Sequence, residues 1–220
     1  MVDDDPLCSL VMDHSPEAFW KELVSRQTAL YKEAHSYSYH GALWEKPEAE
    51  TVFPLVRRAM FESTFRSAAK LSGLQTFDLR HESDYPYVLV KTKKLIMTAH
   101  HVEAPGWFVR LAASRKQNAA VNKHLDYYVR SELLLQPLPD LKKCGRVNLY
   151  VLHGQQWDDE DEKIFTPFLQ VAIPDVDLTK YSRVYEVREL LQFYAQKAVT
   201  PQPEVRVADR AIPRIKKANA

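Results

Sequence analysis

The residues best suited to chemistry in this chain lie between positions 74 and 135, at the ends of predicted strands. They are Asp84, Lys91, His100 and His101. Imidazole nitrogen is a common metal ligand, so the two adjacent histidines are candidates for a zinc site. However, successive residues of a strand point to opposite faces of the sheet, and one metal ion cannot bind both without a bend. The sequence therefore predicts hydrogen-bonded, structural histidines here.

Three other histidines could approach this pair in the folded chain, namely His35, His40 and His153. No H-E-x-x-H or comparable spacing accompanies them, so they do not predict a zinc site. Nucleophilic catalysis is unsupported because the chain has no G-x-S-x-G turn. Cys144 follows two lysines that could lower the pKa of its thiol, but a strand of roughly 25 to 30 Å would separate it from His153. We therefore interpret Cys144 as unreactive.

Apolar periodicity predicts the elements that position these residues. A helix over residues 52–71, with Pro54 in its first turn, precedes three strands, and a helix over residues 114–135 follows them. The strands are recognised by alternating or continuously apolar residues. They cover residues 76–81, 87–91 and 95–100, and a further strand covers 146–153. The turn Lys-Thr-Lys-Lys after the second strand predicts an antiparallel hairpin.

This order of helix, three strands, helix and strand, over residues 52–153, resembles the core of the PD-(D/E)xK nuclease superfamily. In that family an acid before the second strand and an acid-x-lysine triplet on the third hold a divalent metal that activates water. The resemblance implies Glu62 and Asp84 as metal-binding acids, Mg²⁺ as cofactor and Lys91 as the lysine. The third strand has no acid-x-lysine triplet, and Leu89 stands two residues before Lys91. The implied metal site therefore lacks one oxygen ligand.

Basic residues form a second candidate site. Residues 116, 123 and 130 are seven positions apart on a predicted helix and therefore share one face. Together with the lysines of the hairpin turn they would form a phosphate-binding surface; a solvated helix face is the alternative. The candidate binding residues are Lys91, Lys93, Lys94, Arg115, Lys116, Lys123 and Arg130. Further cations, Arg214, Lys216 and Lys217, lie near the C-terminus.

The composition argues against several classes of protein. The 220 residues carry a formal net charge of +1, so the surface as a whole is not built for a polyanion. Only 5 glycines are present and no glycine-rich phosphate loop. No stretch approaches the roughly 18 to 20 continuous apolar residues of a membrane span, and the acidic start is not a secretory signal. We expect a soluble, cytoplasmic protein with no membrane partner and no cofactor.

The predicted fold is α+β, with a mixed, mostly antiparallel sheet of about five strands covered by three to four helices. One domain would span residues 1–200, with a helical part over 14–72 and the sheet with its packing helices over 74–198. Residues 201–220 would form a basic tail. The remaining expectations are a loose end at 1–13, a helix at 16–34, an aromatic loop at 35–44, a strand at 165–173 and a helix at 186–198.

Three functions remain compatible with these residues. The first is a non-enzymatic regulatory or adaptor protein that binds a macromolecule, either protein or nucleic acid, because no catalytic set is complete. The second is a divalent-metal-dependent nuclease in which Glu62, Asp84 and a further carboxylate converge on Mg²⁺. The third is a small-molecule sensor whose pocket would be lined by Tyr37, Tyr39, Trp44 and Trp107.

Overall fold

A computed structural model describes residues 5–40, 44–80, 86–125, 145–157 and 165–199. The helices within them are α1 (Pro6–His14), α2 (Glu17–Tyr39), α3 (Lys46–Leu71), α4 (Ala113–Ala119), a 3₁₀-helix (Ala120–His124) and α5 (Val187–Val199). The strands are β1 (Gln75–Leu79), β2 (Tyr87–Lys91), β3 (Leu95–His101), β4 (Val147–Trp157), β5 (Phe165–Pro174) and β6 (Tyr181–Glu186). None of the described helices is both long and apolar enough to cross a bilayer.

The strands form a single sheet in the order β1 to β6. Neighbouring strands are antiparallel except β3 and β4, which are parallel and are joined by a crossover that contains α4. The predicted α+β class and the mixed, mostly antiparallel sheet are confirmed, with six strands in the described residues instead of about five. The additional strand, β6, leads directly into α5 with no turn residue between them, so no glycine or proline marks its end in the sequence.

One face of the sheet is covered by α1, α2, α3 and α5. Alternate residues of the strands point to this face and pack against large buried side chains of the helices. Phe19 makes edge contacts with Trp20 and Phe65, at 4.7 and 5.6 Å between ring centroids. Each such side chain stabilises the fold by about 1.5 to 3 kcal/mol when fully buried. This is the larger of two hydrophobic cores, and it holds the sheet against the four helices.

The other face is covered by α4, the 3₁₀-helix and the loop over residues 102–112. A smaller core lies here, and it contains Val102, Val109, Ala119, Tyr150, Leu152, Phe168, Ala172 and Leu178. A Cβ atom at Gly154 would collide with the Phe168 ring and with the Val102 carbonyl oxygen, so this close approach requires glycine. The thinner layer on this face positions most of the candidate binding residues.

The first two helices differ from the predictions. From Pro6 onward the segment expected to be a loose end forms α1, in which Asp5 caps the helix by accepting a bond from the Leu7 N–H and Val11 is fully buried. Residues 35–39 of the expected aromatic loop instead form the last part of α2, and residues 41–43 lie outside the described part. Stacking of Tyr39 on His35, at 4.6 Å between centroids, favours the helix at residues whose own helix propensity is low.

Two further boundaries differ. Helix α3 begins at Lys46, so Pro54 lies inside it and not in its first turn. The helix expected over residues 114–135 is a short α-helix followed by a 3₁₀-helix as far as His124, and residues 126–144 lie outside the described part. Pro167 of β5 lies opposite Gln155 of β4 and beyond the end of β6, so its missing N–H interrupts no described ladder on the β6 side. The predicted tail at 201–220 is also outside the described residues.

Candidate functional site

Basic residues are concentrated in one part of the chain. Between residues 86 and 125 there are seven lysines and arginines but only one acidic residue, Glu103. Because the whole chain has a net charge of only +1, the remainder is net acidic and the charges are segregated. Six of the predicted binding residues lie in this part: Lys91, Lys93 and Lys94 around the β2–β3 turn, and Arg115, Lys116 and Lys123 on α4 and the 3₁₀-helix. Arg130 lies outside the described residues.

The cations of α4 and the 3₁₀-helix extend along the sheet and form what we call the cationic stripe (Arg115, Lys116 and Lys123). The backbone between Arg115 and Lys123 spans about 12 to 16 Å. His124 lies at the Lys123 end of the stripe. Burial lowers the pKa of His124, and the charge of Lys94 lowers it further, so the β2–β3 turn that carries Lys94 lies close to this end. The predicted surface is therefore elongated and not a single cluster.

Asn122 fixes the stripe to the sheet. Its Nδ2 donates to the carbonyl oxygens of Asn148 and Pro174, both at 2.8 Å, and its Oδ1 accepts from the Asn148 N–H at 2.7 Å. Proline has no N–H to donate across the β4–β5 ladder, so the Asn122 amide completes the ladder at this point. At the other end, Tyr150 Oη donates to the Arg115 carbonyl at 3.2 Å. The stripe therefore presents its cations from a fixed backbone.

Large apolar side chains, two of them aromatic, are exposed in the 102–112 loop, which leads into α4. The exposed fractions are 56% for Trp107, 49% for Phe108 and 75% for Leu111. The loop itself is held in place, because the Gly106 N–H donates to Gln170 Oε1 at 2.9 Å and Tyr181 Oη donates to the Trp107 carbonyl at 3.2 Å. The Phe108 ring also stacks on Tyr181, at 4.6 Å between centroids. The exposed rings of Trp107 and Phe108 can therefore stack on a planar ligand group without a rearrangement of the loop.

The four aromatic residues predicted to line a sensor pocket are divided among α2, the segment before α3 and the 102–112 loop. Tyr37 borders a groove between α2 and α3 and is 55% exposed. Tyr39 packs against Phe53 at 5.7 Å between centroids, and Trp44 immediately precedes α3. Trp107 belongs to the loop on the opposite face of the sheet. The structure does not bring Trp107 to the aromatic residues of α2.

A cavity of about 70 Å³ lies at the C-terminal end of β3. Two of its walls are strand residues: the Thr98 Oγ1 and His100 Nε2 atoms are 2.9 Å apart and hydrogen-bonded. The His100 ring meets Tyr150 edge-on at 4.4 Å. Burial, followed by the charges of Arg115 and Arg58, lowers the pKa of His100 well below its ordinary value. His100 is therefore neutral at pH 7, and the positive charge of the cavity comes from the two arginines.

His101 points to the opposite face from His100 and joins a buried cluster. The Tyr31 Oη is 2.7 Å from His153 Nδ1, and Phe61 stacks flat on the His153 ring at 3.5 Å between centroids. His101 meets His153 edge-on at 5.6 Å. These contacts fit the structural role predicted for the histidines.

Glu62 and Lys91 lie on opposite faces of the sheet. Glu62 is buried under β2, where its Oε2 accepts from the Val88 N–H at 2.9 Å. Lys91 Nζ lies 5.9 Å from the centroid of the Phe77 ring, on the face turned away from α3. Asp84 lies outside the described residues, and within them no three His, Cys, Asp or Glu side chains are grouped to hold a metal ion. The structure thus does not bring Glu62 and Lys91 together.

Comparison with known proteins finds no matching family model, no matching curated protein and no matching solved structure. Three features of the described residues carry the functional argument instead. They are the cationic stripe, the exposed rings of the 102–112 loop and the cavity at the end of β3.

Glu62→Gln is expected to remove a pH-dependent loss of stability. Burial, opposed by the bond from Val88 and by nearby arginines, raises the pKa of Glu62 from 4.5 to about 7. Because this pKa is higher in the folded state, the folded protein holds the carboxyl proton more tightly than the unfolded chain does. The stability that Glu62 contributes is therefore fully present below pH 4.5 and is lost as the pH rises through 7. The loss at pH 8 is on the order of 2 to 3 kcal/mol.

Guanidinium unfolding of both proteins at pH 5 and pH 8 measures this effect. The free energy of unfolding of the variant relative to the wild type should rise by about 2 kcal/mol between the two pH values. Contributions of histidines are common to both proteins and cancel in this difference. A difference that stays constant with pH would show that Glu62 is ionised in the folded state.

Proposed function

We propose that this protein is a non-enzymatic nucleic-acid-binding protein that holds a single strand across the 102–112 loop and α4. The observation that carries the proposal is the exposure of Trp107 and Phe108 in the loop that also carries Arg110 and leads into α4 with Lys116. Exposed rings stack on bases of any sequence, and neighbouring cations bind the phosphates of the same strand. A protein that regulates by binding a nucleic-acid strand needs no catalytic group.

The arrangement favours a single strand over a duplex. In a duplex the faces of the bases are already stacked on one another and only their edges are accessible in the grooves. Trp107, whose backbone is held by the loop and whose side chain is exposed, can stack on an unpaired base but not on a base inside a duplex. The cationic stripe, about 12 to 16 Å long, matches the backbone of a few nucleotides beyond that base.

Affinity for a single strand should depend strongly on salt. Each neutralised phosphate of a single strand contributes about −0.7 to the slope of log affinity against log salt concentration. Arg110 with the cationic stripe provides four cations, so we expect a slope of about −2 to −3. Fluorescence anisotropy of a labelled single strand, from about 50 to about 200 mM salt, measures it. A protein partner would be indicated instead if no strand binds at the lowest salt.

Trp107→Ala should weaken binding of a single strand by about tenfold or more, because one stacked base is worth about 1 to 3 kcal/mol. Trp44→Ala is the matched control, since Trp44 is also exposed but precedes α3 and is followed by Glu45. Anisotropy titrations of the two variants at one salt concentration compare them directly. Equal affinities for both variants would contradict stacking on the 102–112 loop.

A further inference from the structure

The cavity at the end of β3 has the size of one small anion. Its volume of about 70 Å³ corresponds to roughly two or three water molecules, which accommodates a tetrahedral oxyanion but not a nucleobase. The cavity lies where β3 extends past its neighbour: β2 begins at Tyr87, whereas β3 pairs with β4 as far as His101.

The lining offers hydrogen-bond donors from three directions. Arg58 reaches the cavity from α3 and Arg115 from α4, so two guanidinium groups approach from different helices. Ser114 and Asn118 are one helical turn apart on α4 and line it together. Arg115 also donates to the Arg110 carbonyl, but a guanidinium carries five N–H groups and can serve an anion at the same time.

The remaining wall is rigid and carries no negative charge. Thr98 and His100 bond to each other, and the edge contact with Tyr150 holds the imidazole in place. Among the residues described, no carboxylate lines the cavity. An anion would therefore meet a lining that is already in position, which reduces the entropic cost of binding.

We propose that this cavity binds the terminal phosphate of a nucleic-acid strand, an inference that rests on the proposed function. A terminal phosphate has one ester substituent and carries nearly two negative charges at neutral pH, so it can enter a concave site end-on. An internal phosphodiester continues in both directions and carries one charge. Arg115 belongs both to the cavity and to the cationic stripe, so a strand lying on the stripe has its end at the cavity.

Three strands of one sequence test this inference: one with a 5′-phosphate, one with a 3′-phosphate and one with neither. The wild type should prefer one of the phosphorylated strands over the unphosphorylated strand by about tenfold, the effect of charge-assisted hydrogen bonds. Arg58→Gln should abolish the preference and leave binding of the unphosphorylated strand intact. Lys116→Gln, next to Arg115 but exposed, should weaken all three strands equally and keep the preference. Inorganic phosphate should reduce the preference without releasing the unphosphorylated strand.

The outcomes separate this inference from the proposed function. Equal affinity of the wild type for all three strands would overturn the terminal-phosphate site and leave strand binding in place. Failure to bind any strand would overturn the proposed function itself. If thermal unfolding shows that Arg58→Gln does not fold, Asn118→Ala provides the second variant, because it removes one donor from the cavity without changing its charge. Asn118→Ala should reduce the preference about threefold, and an unchanged preference would contradict the inference.

Discussion

Lowering the pH from 6 to 5 is expected to destabilise the folded protein by about 2 to 3 kcal/mol. The cause is a set of three histidines that are neutral in the folded state. Burial lowers the pKa of His100, His101 and His153, and nearby positive charges lower each of them further. For His101, which faces Arg57, the pKa falls to about 3.

The direction follows from the protons that each state binds. In the unfolded chain each histidine takes up a proton near its ordinary pKa of 6.5, whereas the folded state does so only at much lower pH. The stability that these side chains contribute is therefore complete above pH 6.5 and is lost as the pH falls. Glu62 opposes this trend, since the folded state binds its proton from about pH 7 downwards. Between pH 6 and pH 5 the unfolded state therefore binds about two more protons than the folded state.

Guanidinium unfolding in half-unit steps of pH measures this dependence. His101→Gln removes one of the three sites, so the slope should fall by about 1.4 kcal/mol per pH unit. Glu62→Gln removes the opposing group, so the slope should increase by a similar amount. Unchanged slopes in both variants would contradict the assignment of neutral histidines and a protonated carboxyl to the folded state.

The sheet could be predicted from the sequence because most strands carry a local signal. Residues 87–90 are continuously apolar and form the interior strand β2, and the Lys-Thr-Lys-Lys turn closes the β2–β3 hairpin as expected. In β3 the alternation sends His100 and His101 to opposite faces, which is a property of any strand. Signals of this kind depend only on neighbours in the sequence and not on the rest of the fold.

α1 and β6 depend on each other across the whole chain, which explains why both were missed. Asp5 caps α1 through the Leu7 N–H, and its other carboxylate oxygen accepts from Tyr185 Oη at 2.8 Å and pairs with Arg183 Nε at 3.2 Å. The cap and the strand therefore stabilise one another through residues about 180 positions apart. The Asp-Pro start of α1 was the one local signal that could have indicated a helix.

The cationic half of the site could be predicted, but the cavity could not. Lysine and arginine spacing on a helix is visible in the sequence, as it was for Lys116 and Lys123. Arg58 and Arg115 come from helices that cover opposite faces of the sheet, yet both line one cavity together with Tyr87, the first residue of β2. Strand register and strand length depend on the packing of the whole fold, so the spacing of residues in the sequence does not predict that these two arginines meet.

Asn122→Ala is expected to destabilise the protein by about 4 kcal/mol. The substitution removes three hydrogen bonds at once, to the Asn148 N–H, the Asn148 carbonyl and the Pro174 carbonyl. All three backbone groups are then left without their partner at a buried position, at a cost of about 1 to 3 kcal/mol for each unsatisfied group. Pro174 cannot compensate, because it has no N–H to donate to Asn148. Guanidinium unfolding at pH 7 measures the loss.

Gln117→Ala is the matched control, because Gln117 lies on α4, directly before the 3₁₀-helix that carries Asn122, is exposed, and undergoes the same change from an amide side chain to a methyl group. It should change the free energy of unfolding by less than about 0.5 kcal/mol. Hydrogen exchange of the Asn148 amide provides a local measurement, since its only described acceptor is Asn122 Oδ1. Under folding conditions Asn122→Ala should accelerate that exchange and also weaken binding of a single strand, because the cationic stripe is no longer fixed to β4. A variant that keeps wild-type stability would show that water replaces the amide, and that the stripe is held by its apolar contacts alone.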